Sequence, residues 1–177
     1  MMVTEHDTIL EALKIAIDME KDGKEYYLQA SHESCNEVGR KLLQSLAIEE
    51  DTHSQKIVEI FNVIQKQEGW PAATFQADRG RALKELFTVT CEATGVNVRG
   101  AAAELDAINT AIDKEKKSYD FYFRQSQNAI YDTERDFYEA LAGEEREHEL
   151  ILLNYLEYLS DPVDWFTRME HHSLDGG

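Results

Sequence analysis

Two glutamates and a histidine recur along this chain at a constant offset of 95 residues, and each time they interrupt an apolar helical stripe. Glu20 repeats as Glu115, Glu50 as Glu145 and His53 as His148. The first stripe reads Ile9, Leu13, Ala16, Glu20, Gly23 and Tyr27, at spacings of three and four that share one helix face. The second reads Leu42, Leu46, Glu50, His53, Ile57, Ile60 and Ile64. The third carries Leu105, Ile108, Ala111, Glu115, Ser118 and Tyr122, and the fourth Tyr138, Leu141, Glu145, His148, Leu152 and Tyr155. An unpaired carboxylate on a core-facing stripe costs several kcal/mol even after relaxation. A chain with four of them needs a fold that gathers them around a shared counter-charge.

The periodicity is helical nearly throughout, and almost nothing alternates with the period of a strand. It predicts helices from about Thr8 to Ser34, Glu37 to Gln67, Ala101 to Ala129 and Asp132 to Leu159, the last capped by Asp132 and Thr133. Pro71 and Pro162 are the only prolines, and both fall outside these segments, as long uninterrupted helices require. Short turns join the first helix to the second and the third to the fourth, so each pair forms an antiparallel hairpin. Residues 69–100 are too many for a turn. Gly69-Trp70-Pro71 breaks the chain there, and Arg79 to Thr90 reads as a helix within a crossover. Residues 160–177 form a tail with one more short helical turn. The expected architecture is all-α: a four-helix bundle of two antiparallel hairpins, residues 8–67 and 101–159, joined by a long crossover. The whole chain, 1–177, suits one domain. Ala16-Ile17-Asp18-Met19-Glu20-Lys21 matches Ala111-Ile112-Asp113-Lys114-Glu115-Lys116, so the hairpins resemble each other beyond the polar residues. That repetition implies a pseudo-two-fold axis through the site.

Four glutamates and two histidines projecting into a bundle core form the ligand set of a two-metal carboxylate centre. Two divalent ions supply a charge of +4 against the four carboxylates. In Glu-x-x-His the three-residue spacing keeps both side chains on one face. Glu50 and Glu145 can then bridge two metals, while His53 and His148 each bind one and Glu20 and Glu115 serve as terminal ligands. Imidazole with carboxylate suits iron and accommodates manganese; iron is favoured. Cys35 and Cys91 are the only cysteines and read as free thiols. Tyr27 and Tyr122, two turns beyond the lone glutamates, either orient the ligands and donate an electron or are core tyrosines satisfied elsewhere. Gly23 and Ser118 either leave room for dioxygen or peroxide or merely allow close helix packing. Glu49 and Glu144 read as solvated. His6, His32, His171 and His172 read as surface or tail residues, and the cluster Tyr119, Phe121, Tyr122 and Phe123 as mostly core.

Eighteen basic against 35 acidic residues give a formal charge of −17. Such a balance attracts cations and argues against nucleic acid or an anionic membrane as partner. No apolar run is long enough to span a bilayer, and Met1 to Asp7 lacks the pattern of a signal peptide. Cytoplasmic residence is the expectation.

The ordered pattern Glu20, Glu50-x-x-His53, Glu115 and Glu145-x-x-His148 resembles that of the ferritin-like superfamily and, within it, the rubrerythrin-related proteins, over about residues 5–160. The resemblance implies a ferritin-like bundle with two iron ions, Glu50 and Glu145 bridging them and His53 and His148 binding one each. It also implies an oxidoreductase that reduces dioxygen or hydrogen peroxide with electrons from Fe(II) or an external donor, and a homo-oligomer, dimer or larger. Non-catalytic iron sequestration or delivery is the alternative. Two departures bear on the chemistry. Ser118 stands where rubrerythrins carry an extra glutamate that follows a moving iron. The paired cysteines of a rubredoxin domain, usual in rubrerythrins, do not occur in this sequence, so the resemblance implies that any reductant other than Fe(II) comes from a separate electron-donor protein. The six-ligand set is closer to that of bacterioferritin, yet Asp51 stands where its haem-binding methionine would be.

Overall fold

The structure is a computed structural model describing residues 5–66, 69–72 and 75–174, the last four by backbone alone. Six helices and no strand are found among the described residues: α1 (Glu5–Glu33), α2 (Glu37–Gln65), α3 (Arg81–Thr94), α4 (Ala102–Asn128), α5 (Asp132–Ser160) and α6 (Pro162–Leu174). The four long helices follow the four stripes. Leu13, Ala16, Leu46, Ile57, Ile108, Ala111, Leu141 and Leu152 are all buried, and so are the polar residues between them. α1 packs on α2 and α4 on α5, giving the two hairpins. The hairpins meet along α1 with α4 and α2 with α5, while α3 lies on α2 and α6 on α5. Apolar clusters occupy both ends of the bundle, one around Leu42, Leu46, Ile108 and Leu152, the other around Leu13, Ile57, Tyr122 and Leu141. On every long helix the glutamate or histidine of the repeat falls between them.

Local chemistry sets the helix ends. Asn36 caps α2, its Oδ1 accepting the Gly39 N–H at 2.9 Å. α3 stops at Gly95, whose φ of 72° lets its N–H reach back to the Cys91 carbonyl at 2.8 Å. Tyr131, rather than Asp132 or Thr133, sits at the cap of α5. There the Glu134 carboxylate accepts the N–H groups of Ile130 and Tyr131 at 3.1 and 3.4 Å. α2 ends at Gln65, and Gln67 lies outside the described residues.

Three sequence expectations change. The tail is not a single turn but the 13-residue α6, anchored by Trp165. That side chain is buried against Phe87 and Tyr158 and donates its indole N–H to Asn154 Oδ1 at 2.6 Å. His6 is partly buried, its Nε2 2.8 Å from the Ile64 carbonyl, whereas His32 is exposed and the side chains of His171 and His172 lie outside the described residues. Of the aromatic cluster on α4, Tyr122 is fully buried, Tyr119 and Phe121 are partly buried, and Phe123 is 46% exposed. The helix turns about 100° per residue, so consecutive aromatics cannot all face one core.

A polar latch closes one end of the bundle. Ser34 Oγ, Asn36 Nδ2 and the Tyr155 hydroxyl all donate to Glu104 Oε1, at 2.6, 3.0 and 2.8 Å. These bonds tie the α1–α2 turn to the start of α4 and to α5. Gly39 makes the approach possible, because a Cβ there would collide with Ser34 Oγ, Tyr155 Oη and Glu104 Oε1. Glu104→Ala leaves these buried donors without their shared acceptor, and a loss of about 3 kcal/mol is expected. Tyr155→Phe, which removes one donor, should cost about 1 kcal/mol. Urea unfolding of the two variants checks the ranking; equal or negligible losses would refute the latch.

Candidate metal centre

The six repeated residues converge. Glu20 comes from α1, Glu50 and His53 from α2, Glu115 from α4, and Glu145 and His148 from α5. None is more than 3% exposed. His53 Nδ1 lies 3.3 Å from both Glu20 Oε2 and Glu145 Oε1. His148 Nδ1 lies 3.1 Å from Glu50 Oε1 and 3.6 Å from Glu115 Oε2. Each imidazole thus faces the lone glutamate of its own hairpin and a glutamate of the other. The two rings stack at 5.6 Å, 12° from parallel.

Donor atoms fall into two overlapping sets, each within 4.8 Å: Glu20, Glu50, His53 and Glu145, and Glu50, Glu115, Glu145 and His148. Glu50 and Glu145 belong to both, which is the geometry a pair of bridging carboxylates needs. Glu20 Oε2, Glu50 Oε1, Glu115 Oε2, both oxygens of Glu145 and Nδ1 of both histidines have no hydrogen-bond partner. Buried polar atoms without partners are costly. Two cations held between the sets would satisfy all of these atoms together, so the residues fit a two-metal site.

Tyr27 and Tyr122 reach across the hairpins. The Tyr27 hydroxyl on α1 donates to Glu115 Oε1 on α4, and the Tyr122 hydroxyl on α4 donates to Glu20 Oε1 on α1. Each lone glutamate therefore has one oxygen bound by a tyrosine and the other turned inward. Burial, then the charge of Glu115, pushes the Tyr27 phenol well above its ordinary value; burial and Glu20 do the same to Tyr122. Both remain hydrogen-bond donors at any physiological pH.

Glu49 and Glu144 are not simply solvated. Glu49 Oε2 lies 2.8 Å from His148 Nε2, accepting its N–H and so turning Nδ1 toward the carboxylates. Glu144 is 2% exposed and accepts the Arg79 N–H at 2.7 Å, and it too comes within 4.8 Å of donor atoms on both histidines. The residue before a stripe glutamate faces sideways on an isolated helix, so only the neighbouring elements reveal its burial. Gly23 and Ser118 are partly buried beside the centre, and a Cβ on Gly23 would lie 2.6 Å from Glu50 Oε2.

A family model described as Rubrerythrin matches residues 11–156. The chain belongs to the rubrerythrin family. Its ferritin-like bundle, the buried carboxylate–histidine cluster and the order of the motifs all agree with that membership. No match was found among curated proteins or among solved structures. No helix among the described residues is long and apolar enough to cross a membrane.

Without metal, protons carry the counter-charge. Burial and the charges of Glu20 and Glu115 push Glu145 up to about 8. Burial and the charge of Glu20 push Glu50 well up also. Burial favours neutral imidazoles, but Glu145 and Glu20 outweigh it at His53, and Glu115, Glu49 and Glu50 outweigh it at His148, so both are raised. Burial alone would raise Glu115, yet the neighbouring His148 imidazole and the hydrogen bond from Tyr27 bring it below the ordinary value. All four raised groups bind more protons in the folded than in the unfolded chain. Stability of the metal-free protein should therefore fall as pH rises through about 8, where Glu145 titrates. Metal uptake at neutral pH should release about four protons, because ligands must be deprotonated to bind. Calorimetry in buffers of different ionisation enthalpy counts them; release of fewer than about one would be incompatible with this site.

Glu49→Ala should lower metal affinity by about 10- to 100-fold by freeing the His148 ring. Glu49→Gln, whose amide oxygen can still accept the N–H, should lose less. A competition titration with a chelator separates the two, and identical affinities in all three proteins would contradict the role.

Proposed function

We propose that the protein is a di-iron oxidoreductase that reduces hydrogen peroxide or dioxygen, with electrons from Fe(II) or an external donor. The observation that carries this reading is the pair of overlapping donor sets sharing Glu50 and Glu145, with inward atoms that nothing else satisfies. Bound iron would supply electrons by cycling between ferrous and ferric states. Imidazole and carboxylate ligands suit both. Glu50 and Glu145 would hold two ions at once, Glu20 with His53 and Glu115 with His148 completing the two positions. Tyr27 and Tyr122 keep Glu115 and Glu20 oriented by donating to the oxygen that faces away from the centre. Apolar side chains above and below, Ala16 and Leu141 on one side and Leu46 and Ala111 on the other, restrict water.

Anaerobic titration with Fe(II) should saturate at about two irons per chain. Addition of peroxide should then oxidise the iron, and a supplied reductant should sustain peroxide consumption over many turnovers. Glu20→Ala combined with Glu115→Ala should reduce iron content below one per chain and abolish consumption. Iron that is oxidised once and retained, with no turnover under any reductant, would favour sequestration instead, a reading to which the −17 charge lends cation attraction. A protein that binds no iron would remove both readings.

A further inference from the structure

A cleft of about 130 Å³ opens between α1 and α4 and reaches Glu50, Glu115 and Tyr27. Its other lining residues are pairs related by the internal repeat: Met19 with Lys114, Asp22 with Lys117, and Gly23 with Ser118. The cleft therefore straddles the pseudo-two-fold axis above the metal centre. Its floor is chemically specific. Glu50 and Glu115 are almost wholly buried, and each has an oxygen without a hydrogen-bond partner. Gly23 and Ser118 form the waist. At Gly23 any side chain would press on Glu50 Oε2, and at Ser118 the side chain is one hydroxymethyl long.

We propose that this cleft is the access route for hydrogen peroxide, with Gly23 and Ser118 filtering by size and Lys114 and Lys117 filtering against metal cations. The inference rests on the oxidoreductase reading of the same centre. Charge carries the first part. A chain of net −17 draws cations over most of its surface, but this rim sets two lysines against the single acid Asp22. Lys114 is held in place with Nζ 5.1 Å from the centre of the Tyr26 ring. An incoming ferrous ion meets repulsion here, and an uncharged peroxide does not. Size carries the second part. Water occupies about 30 Å³ in the liquid, so the cleft has room for peroxide and a few waters, and it is the waist between Gly23 and Ser118, not the volume, that discriminates against a branched organic hydroperoxide. Polarity carries the third. Peroxide leaving water needs replacement hydrogen bonds, which the Ser118 hydroxyl, the Lys114 ammonium and the carboxylate floor provide. Dioxygen needs none and can cross the apolar layers.

The test uses full-length protein loaded with iron or cobalt, and azide as a small ligand whose binding is read from its charge-transfer absorption. Ser118→Leu fills the waist from the α4 side without touching Gly23. Its azide association and peroxide reaction rates should fall about tenfold or more, because ligand access then requires the helices to move apart. Metal content should be unchanged, and Ser118→Ala, which keeps the waist open but lacks the hydroxyl, should bind azide as fast as the parent while reacting with peroxide several-fold more slowly. Wild-type protein should react with tert-butyl hydroperoxide far more slowly than with hydrogen peroxide. Parent-like azide and peroxide kinetics in a fully metallated Ser118→Leu protein would overturn the proposal. Should that variant fail to fold or load, Lys117→Glu at an exposed position carries the test. It should weaken azide binding several-fold and speed Fe(II) uptake at low salt, with both differences vanishing at high salt; no change in either measurement would also overturn it. Azide access that depends on Ser118 in a protein unable to consume peroxide would sink the proposed function and leave the cleft standing.

Discussion

Mutual repulsion among four buried glutamates is the constraint around which the rest of the molecule is arranged. Two unit charges 4 Å apart repel by about 4 kcal/mol at an effective dielectric of 20. A domain is stable by only about 5–15 kcal/mol in total. Four ionised carboxylates in one pocket would therefore exceed the stability of the whole fold. The chain meets this with the two imidazoles placed among the carboxylates, with protons retained on Glu50 and Glu145, and with a geometry in which two cations would replace those protons. Charge neutrality at the centre is thus a condition for the bundle, and the bundle in turn fixes the distances at which neutrality is achieved.

Duplication solves the geometric half of the problem. Two similar hairpins related by a pseudo-two-fold axis deliver the same three residues from opposite sides, so one local sequence solution serves twice. The halves are joined most specifically at the centre, where His53 meets Glu145, His148 meets Glu50, and Tyr27 and Tyr122 exchange partners across the interface. Away from the centre the symmetry lapses. Glu104 in the polar latch corresponds by the 95-residue offset to Ile9, Tyr155 to Ile60, and Ser34 to Ala129. One end of the bundle is therefore closed by convergent hydrogen bonds, the other by apolar packing.

What could be read from the sequence divides along the same line. The four stripes, the two hairpins and all six inward donors follow from the period of a helix, because polar residues inside an apolar stripe stand out against it. Tyr27 and Tyr122 were legible as neighbours of the centre, but not their crossing to the opposite helix, which depends on how the hairpins dock. Glu49, Glu144 and Glu104 gave no signal. Each is a glutamate off the stripe in an acidic chain, indistinguishable by type from solvated neighbours. Their burial comes from elements distant in sequence: α5 over Glu49, the segment entering α3 over Glu144, and the α1–α2 turn over Glu104. The length of α6 was hidden for a related reason. Its polar sequence offers only the adjacent Trp165 and Phe166 as large anchors, and the surface that receives Trp165 is built by α3 and α5.

The environment of the two histidines shows where the duplicated halves part company chemically. Glu49, the partner of His148, is 24% exposed through its side chain. On the other side, Phe75 packs edge-on to His53 at 5.6 Å, and Glu144 is buried and held by the Arg79 N–H. Arg79 adopts a φ of 55°, a left-handed conformation that a non-glycine residue holds only where its surroundings compensate, and the bond to Glu144 is such compensation. The crossover thus seals the His53 side with an aromatic ring and a locked carboxylate, while the His148 side keeps a carboxylate in touch with water. The inner donor sets are equivalent by symmetry and their outer contacts are not. A proton that leaves the His148 imidazole has a short path to solvent through Glu49. A symmetric centre set in an asymmetric shell therefore has two inequivalent positions, and that inequivalence originates in the crossover, a long segment that the repeat does not duplicate.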